Sequence, residues 1–121
     1  DVICGFPGET EEDHRRTVTF LEKLPFTYIH VFPYSDRSGT AASEMPGKVS
    51  SRLIRERCRE IRELSEKKNR EFRRSQIGEE ISLLTLTKAC GSSREALSDN
   101  YLKDLRCAGG LPDRRSDRHL I

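Results

Sequence analysis

The chain has 121 residues, of which 34% are hydrophobic, 7% aromatic and 35% charged. This length corresponds to one small domain. No apolar run approaches the roughly 20 residues of a membrane-spanning helix, so a transmembrane protein is excluded. The first residues show neither an initiator methionine nor a basic region followed by an apolar stretch. We therefore expect no secretory signal and a chain that begins inside a larger protein.

The four cysteines are tens of residues apart, with no CxxC or CxxxCxxC spacing. They are Cys4, Cys58, Cys90 and Cys107. This spacing predicts no metal site. An even number of cysteines is compatible with two disulfides. A charged, helix-rich chain without a signal instead favours an intracellular, cytoplasmic protein with reduced thiols.

The net charge of +2 is unevenly distributed. Residues 48–76 hold 11 Lys and Arg against 5 Asp and Glu, which makes this segment a basic block of net charge +6. Two readings stay open for such a block: a face for phosphate groups, or the solvated surface of a helix.

A strand, a helix and a second strand are predicted near the N-terminus. Residues 2–4 form an apolar β-type run before a Gly/Pro turn. Thr10 and the three acids after it predict the start of a helix over 11–24, which Pro25 ends. The β-branched and aromatic residues 27–32 predict the second strand. In such a βα unit, ligands usually bind in the loops that follow the strands.

A long irregular connection is predicted over 36–46, and loops of this length are often functional. Apolar positions at helical spacing then predict one long helix over 50–74. Residues 81–87 favour a strand, and residues 97–102 a turn into another strand. We expect the last dozen residues to be poorly ordered, because they are polar and rich in helix and strand breakers.

Two segments carry a resemblance to a known family. Residues 1–13 read DVICGFPGETEED, and residues 30–42 read HVFPYSDRSGTAA. Both strings, in this order and followed by a long basic helix, resemble the radical S-adenosylmethionine methylthiotransferases. The second string and the LPF before it are most similar to the branch that modifies threonylcarbamoyl-adenosine beside the tRNA anticodon.

The resemblance implies an α/β fold that is the C-terminal half of a radical SAM (βα) barrel. It divides the chain into barrel units over 1–47, a long basic helix closing the barrel over 48–76, and a partial or divergent TRAM-like β module with a disordered tail over 77–121. TRAM is the family's small RNA-binding β-barrel.

The resemblance also implies the cofactors S-adenosylmethionine and 4Fe-4S clusters. The cluster ligands of the family form a CxxxCxxC loop that is absent from this sequence. We therefore expect no metal ligand and no catalytic residue in this fragment, which is inactive without the N-terminal part of the enzyme. The residues implied to bind S-adenosylmethionine are Ile3, Gly5, Phe6, Gly8, Glu9, Val31 and Phe32.

The substrate implied by the resemblance is tRNA. Tyrosine stacks on bases and arginine pairs with phosphate, so the loop after the second strand supplies candidates. The long basic helix supplies further ones through its attraction for the RNA backbone. The candidates are Tyr34, Ser35, Arg37, Arg52, Arg55 and Arg59.

The family's whole enzyme adds a methylthio group to C2 of a modified adenosine through a 5′-deoxyadenosyl radical. Two alternatives remain. One is another branch of the family, which acts on isopentenyl-adenosine in tRNA or on a ribosomal protein. The other is a non-catalytic RNA-binding fragment.

Overall fold

The computed structural model describes residues 1–90, 93–102, 105–108 and 117–120. Helices and strands are mixed, as expected for an α/β fold. The chain divides into two compact units, Asp1–Phe72 and Arg73–Ile121. No helix in the described ranges is long and apolar enough to cross a membrane.

The first unit contains a short parallel sheet with a helix between its strands. Strand β1 (Val2–Cys4) pairs in parallel with β2 (Val31–Pro33), and helix α1 (Glu11–Lys23) connects them. The strand–helix–strand order is as predicted. Helix α1 begins where expected, because Thr10 and Asp13 form a reciprocal capping box.

Strand β2 is shorter than the predicted 27–32. The amide of Ile29 donates to the Ser65 hydroxyl at 2.9 Å, and the carbonyl of Thr27 accepts from the Asn69 side chain at 3.1 Å. These backbone groups are bonded by side chains of a helix instead of a neighbouring strand. The β-type residues therefore lie in an irregular segment, and the strand begins only at Val31.

Two helices follow β2. The stretch predicted to be irregular contains a short helix, α2 (Ala41–Glu44), and the long helix α3 (Ser51–Ser75) follows as predicted. The core of the unit forms where the apolar side of α3 meets the sheet and α1. Its buried members are Cys4, Leu21, Ile29, Val31, Cys58 and Ile61.

The second unit contains an antiparallel sheet with the order β5-β4-β3-β6. Its strands are β3 (Glu80–Cys90), β4 (Ser93–Ser98), β5 (Leu105–Ala108) and β6 (Asp117–Leu120). Ile81, Leu83 and Ala96 form its described core.

One expectation for this unit is confirmed and one differs from the structure. The stretch 97–102 is the end of β4 followed by a turn, in which the Ser98 hydroxyl accepts from the Leu102 amide at 2.7 Å, and β5 is the next strand, as predicted. Residues 117–120 form a strand paired with β3, although the tail was expected to be poorly ordered. The remaining tail residues, 109–116 and 121, lie outside the described residues.

A thiol pair lies in the core of the first unit. Cys4 on β1 and Cys58 on α3 are both buried, unoxidised and close enough for a hydrogen bond between them. Burial, and secondarily the neighbouring Cys58, raise the pKa of the Cys4 thiol from 9.0 to about 12. No disulfide joins these two cysteines.

Replacing Gly5 by alanine should destabilise the first unit. Gly5 has a φ of +83°, and a Cβ there would lie 2.3 Å from Cγ1 of Ile54. The positive φ costs about 1–2 kcal/mol and the overlap with a stiff β-branched side chain about 1–3 kcal/mol more. Urea unfolding monitored by circular dichroism measures the decrease in the free energy of unfolding.

Gly8→Ala is the matched control, since its φ is +85° and nothing lies within 4 Å of the added Cβ. It should show only the cost of the positive φ. In a protein that already carries Ile54→Ala, Gly5→Ala should lower the free energy of unfolding by less than it does in the parent protein. Equal losses for the two glycine variants would contradict the steric explanation.

The Cys4 thiol should make stability fall in alkaline solution. An unfolded chain releases this proton near pH 9, whereas the folded chain holds it up to about pH 12. Between these two pH values, the Cys4 thiol should lower the free energy of unfolding by about 1.4 kcal/mol for each pH unit. The measurement compares denaturant unfolding of the parent and Cys4→Ala from pH 8 to pH 11. Parallel curves would contradict the expectation.

Candidate functional site

The loops after the two parallel strands lie side by side. The Tyr34 amide donates to the Cys4 carbonyl at 2.8 Å, which extends the strand pairing into the second loop. The rings of Phe6 and Tyr34 pack edge to face with centroids 5.4 Å apart. The carboxyl ends of the strands therefore bring together the two loops that carry most of the predicted site residues.

The first loop, residues 5–9, is held at several points along its length. The Glu9 amide donates to the Phe6 carbonyl at 2.9 Å, and the Gly8 amide donates to the Gly47 carbonyl at 2.9 Å. Gly5 lies against Ile54 of α3 with no space for a side chain. Only Phe6 and Gly8 of this loop are exposed.

Glu9 is a structural member of this loop. Its Oε2 atom accepts from the Gly5 amide at 2.5 Å and from Nη1 of Arg57 at 2.9 Å. Because both contacts use the carboxylate that the family resemblance implied near the cofactor, the geometry assigns Glu9 to shaping the loop.

Arg57 is the residue of this site that sequence reasoning missed. Its side chain is only 3% exposed, although it belongs to the most basic helix of the chain. The available signal was helical periodicity, since Arg57 lies three residues after Ile54 and next to Cys58, both of which pack inward. An arginine at such a position has to be buried, and it then needs an acidic partner.

The predicted cofactor residues on the two strands lie on opposite faces of the short sheet. Ile3 and Phe32 are paired in register and are 59% and 49% exposed. Val31 is buried in the core against α3, and its carbonyl accepts from Arg62 at 3.2 Å. Since alternate residues of a strand point to opposite faces, the Val31 side chain cannot line a pocket with Phe32.

The exposed face continues along the segment before β2. Tyr28 and His30 pack edge to face with centroids 4.9 Å apart, and His30 stacks on Phe32 at 6.4 Å. Neither Tyr28 nor His30 was among the predicted site residues. Aromatic residues two positions apart are the sequence signal that could have indicated this face.

The loop after β2 is exposed and polar. The Asp36 carboxylate pairs with Lys48, and the Arg37 carbonyl accepts from the Thr40 hydroxyl at 2.8 Å. Ser35 and Arg37 are exposed. Among the described residues, no acidic side chain forms an ion pair with the Arg37 guanidinium.

The arginines predicted on the long helix differ in their surroundings. Arg52 pairs with Glu56 at 3.4 Å, and Arg59 pairs with Glu63 at 3.8 Å. Arg55 is exposed and has no acidic partner within the described part of the chain. Such exposed helix pairs are weak, so Arg52 and Arg59 keep part of their attraction for an anion.

The described residues do not fit an iron–sulfur cluster. No group of three His, Cys, Asp or Glu side chains among them is arranged to hold a metal ion.

Comparison with known proteins gives relatives but no matching family model. The chain is 41% identical to the threonylcarbamoyladenosine tRNA methylthiotransferase MtaB of Aquifex aeolicus, over 84% of the chain and 24% of the relative. It is 37% identical to MtaB of Bacillus subtilis, over 85% of the chain and 24% of the relative.

A second group of relatives carries a different name. The chain is 42% identical to the tRNA-2-methylthio-N(6)-dimethylallyladenosine synthase of Mycolicibacterium gilvum, over 72% of the chain and 17% of the relative. The chain thus spans about a quarter or less of the length of these curated relatives. By these similarities and by the two motifs at its N-terminal end, the chain belongs to the radical S-adenosylmethionine methylthiotransferase family.

Proposed function

We propose that the protein containing this chain is a tRNA methylthiotransferase that adds a methylthio group to C2 of a modified adenosine beside the anticodon. The observation that carries the proposal is the exposed apolar face at the ends of β1 and β2, formed by Ile3, Phe6 and Phe32 beside a glycine-containing loop. This arrangement suits the planar adenine of a nucleoside cofactor, in a chain whose relatives are methylthiotransferases.

Residues 1–47 then form the last βα units of a barrel, 48–76 its closing helix, and 77–121 a TRAM-like module. The parallel pairing of β1 and β2 supports the first assignment. The antiparallel sheet, which belongs to a second compact unit, supports a distinct β module.

S-adenosylmethionine is the cofactor that the first loop fits. Ile3, Phe6 and Phe32 would contact its adenine, and the backbone at Gly5 and Gly8 would approach the nucleoside closely. When bound, this cofactor supplies the methyl and radical chemistry of the reaction. The cluster ligands are assigned to the N-terminal part of the enzyme, since the residues described here do not fit one.

The favoured substrate is tRNA carrying threonylcarbamoyladenosine, in the cytoplasm. Tyr34 and Arg37 lie on the loop next to the cofactor loop, where a base and a phosphate can be contacted. Arg55, with Arg52 and Arg59 beside it, offers a second contact to the RNA backbone. The dimethylallyladenosine branch is the alternative that relatives such as that of Mycolicibacterium gilvum favour.

Nucleoside mass spectrometry tests the function. The full-length protein is expressed in a bacterium that lacks its own tRNA methylthiotransferases, and the digested tRNA is compared with that of the empty-vector strain. We expect methylthio-threonylcarbamoyladenosine to appear. Methylthiolation of dimethylallyladenosine would instead assign the alternative branch. A methylthio group on a ribosomal protein, or tRNA binding without any methylthio product, would overturn the proposal.

Arg37→Ala should weaken tRNA binding and make it less dependent on salt. Loss of one phosphate contact lowers the slope of log affinity against log salt by about 0.7–0.9. Filter binding of the full-length protein at several salt concentrations measures this slope. Arg15→Ala is the control, since Arg15 is an exposed arginine of α1 next to Glu12. Equal slopes for Arg37→Ala and the parent would contradict an RNA contact at Arg37.

A further inference from the structure

A buried arginine connects the long helix to the first loop. The Arg57 side chain is 3% exposed, and its Nη1 atom donates to the Glu9 carboxylate at 2.9 Å and to the Glu9 carbonyl at 3.1 Å. Its Nη2 atom lies 3.5 Å from the Glu11 carboxylate. All three contacts are to the end of the loop and the first residue of α1.

Burying a guanidinium is unfavourable unless its charge is paired and its hydrogens are bonded. Here the pairing is with Glu9, whose side chain is only 14% exposed, so water screens it little. The Nε atom of Arg57 is buried without a partner among the described residues. The position of Arg57 therefore depends on its contacts to residues 9–11.

Glu9 connects Arg57 to Gly5 at the start of the loop. The oxygen that pairs with Arg57 also accepts from the Gly5 amide at 2.5 Å. One turn earlier on the same helix, Ile54 packs against Gly5. Ile54 and Arg57 thus hold the start and the end of the loop, and the exposed Phe6 lies between them.

We propose that Arg57 is a positioning residue for the cofactor loop. Acting through Glu9, it keeps the Gly5 backbone and the Phe6 ring in the conformation that receives the adenosine part of S-adenosylmethionine. The inference deepens the proposed function and rests on it for the identity of the ligand. The restraint of the loop itself depends only on the contacts of Arg57 and Glu9.

The test uses the full-length protein with Arg57→Lys and, independently, Glu9→Gln. Lysine keeps the positive charge but has a single nitrogen, so it cannot contact both Glu9 and Glu11 as Nη1 and Nη2 of Arg57 do. Glutamine keeps an acceptor for the Gly5 amide but removes the ion pair. Arg15→Ala is the control for loss of an exposed arginine.

Three quantities are measured: the melting temperature, hydrogen exchange of the peptide that contains Gly5, and the dissociation constant and KM of S-adenosylmethionine. We expect both variants to remain folded and to exchange faster in the loop, with exchange in α3 unchanged. The dissociation constant and KM should rise on the order of tenfold to a hundredfold, more than kcat falls. Arg15→Ala should match the parent protein.

Unchanged loop exchange and unchanged cofactor affinity in a folded variant would overturn the proposal. Loss of folding in both variants would also overturn it, because the pair would then serve the stability of the whole unit. Faster loop exchange in the variants, combined with a parent protein that does not bind S-adenosylmethionine, would support the restraint of the loop and overturn its assignment to this cofactor. This last result separates a failure of the proposed function from a failure of the role of Arg57 in holding the loop.

Discussion

The hydrogen-bonded chain from Arg57 through Glu9 to Gly5 is the constraint on which the candidate site depends. A loop of five residues with two glycines has many conformations in isolation, and ordering it carries an entropic cost. The buried pair fixes the position of the Glu9 side chain, because one carboxylate oxygen accepts both from Nη1 of Arg57 and from the Gly5 amide. The loop conformation is therefore imposed by a helix more than 40 residues away along the chain.

The same helix arranges the segment on the other side of the sheet. Arg62, Ser65 and Asn69 bond to backbone groups between Thr27 and Val31, and Lys68 donates to the carbonyls of Glu22 and Leu24. Polar side chains of helix α3 thus form the hydrogen bonds to this backbone segment that a neighbouring strand would otherwise form. This explains how a sheet of two three-residue strands is supported, and why part of the helix's basic charge is engaged inside the unit.

The packing of helix α3 also determines which face of the sheet is open to a ligand. Cys4 and Val31 face α3 and close the core, so Ile3 and Phe32 face away from it, with the Tyr28 and His30 rings beside Phe32. Parallel strands in α/β proteins are normally apolar and covered on both faces, so the exposed Ile3 and Phe32 form a face that a ligand or a further element can cover. The proposed contact with adenine uses this open apolar face.

Local rules in the sequence determined the elements and the family. The cap at Thr10, the stop at Pro25 and the periodicity of α3 depend on neighbours a few residues away, and the two motifs are contiguous strings. The length of β2, the core position of Val31 and the pairing of Arg57 with Glu9 were decided only by the tertiary structure. Each depends on which residues of α3 meet the sheet and the loop, and those contacts join positions tens of residues apart that no local pattern encodes.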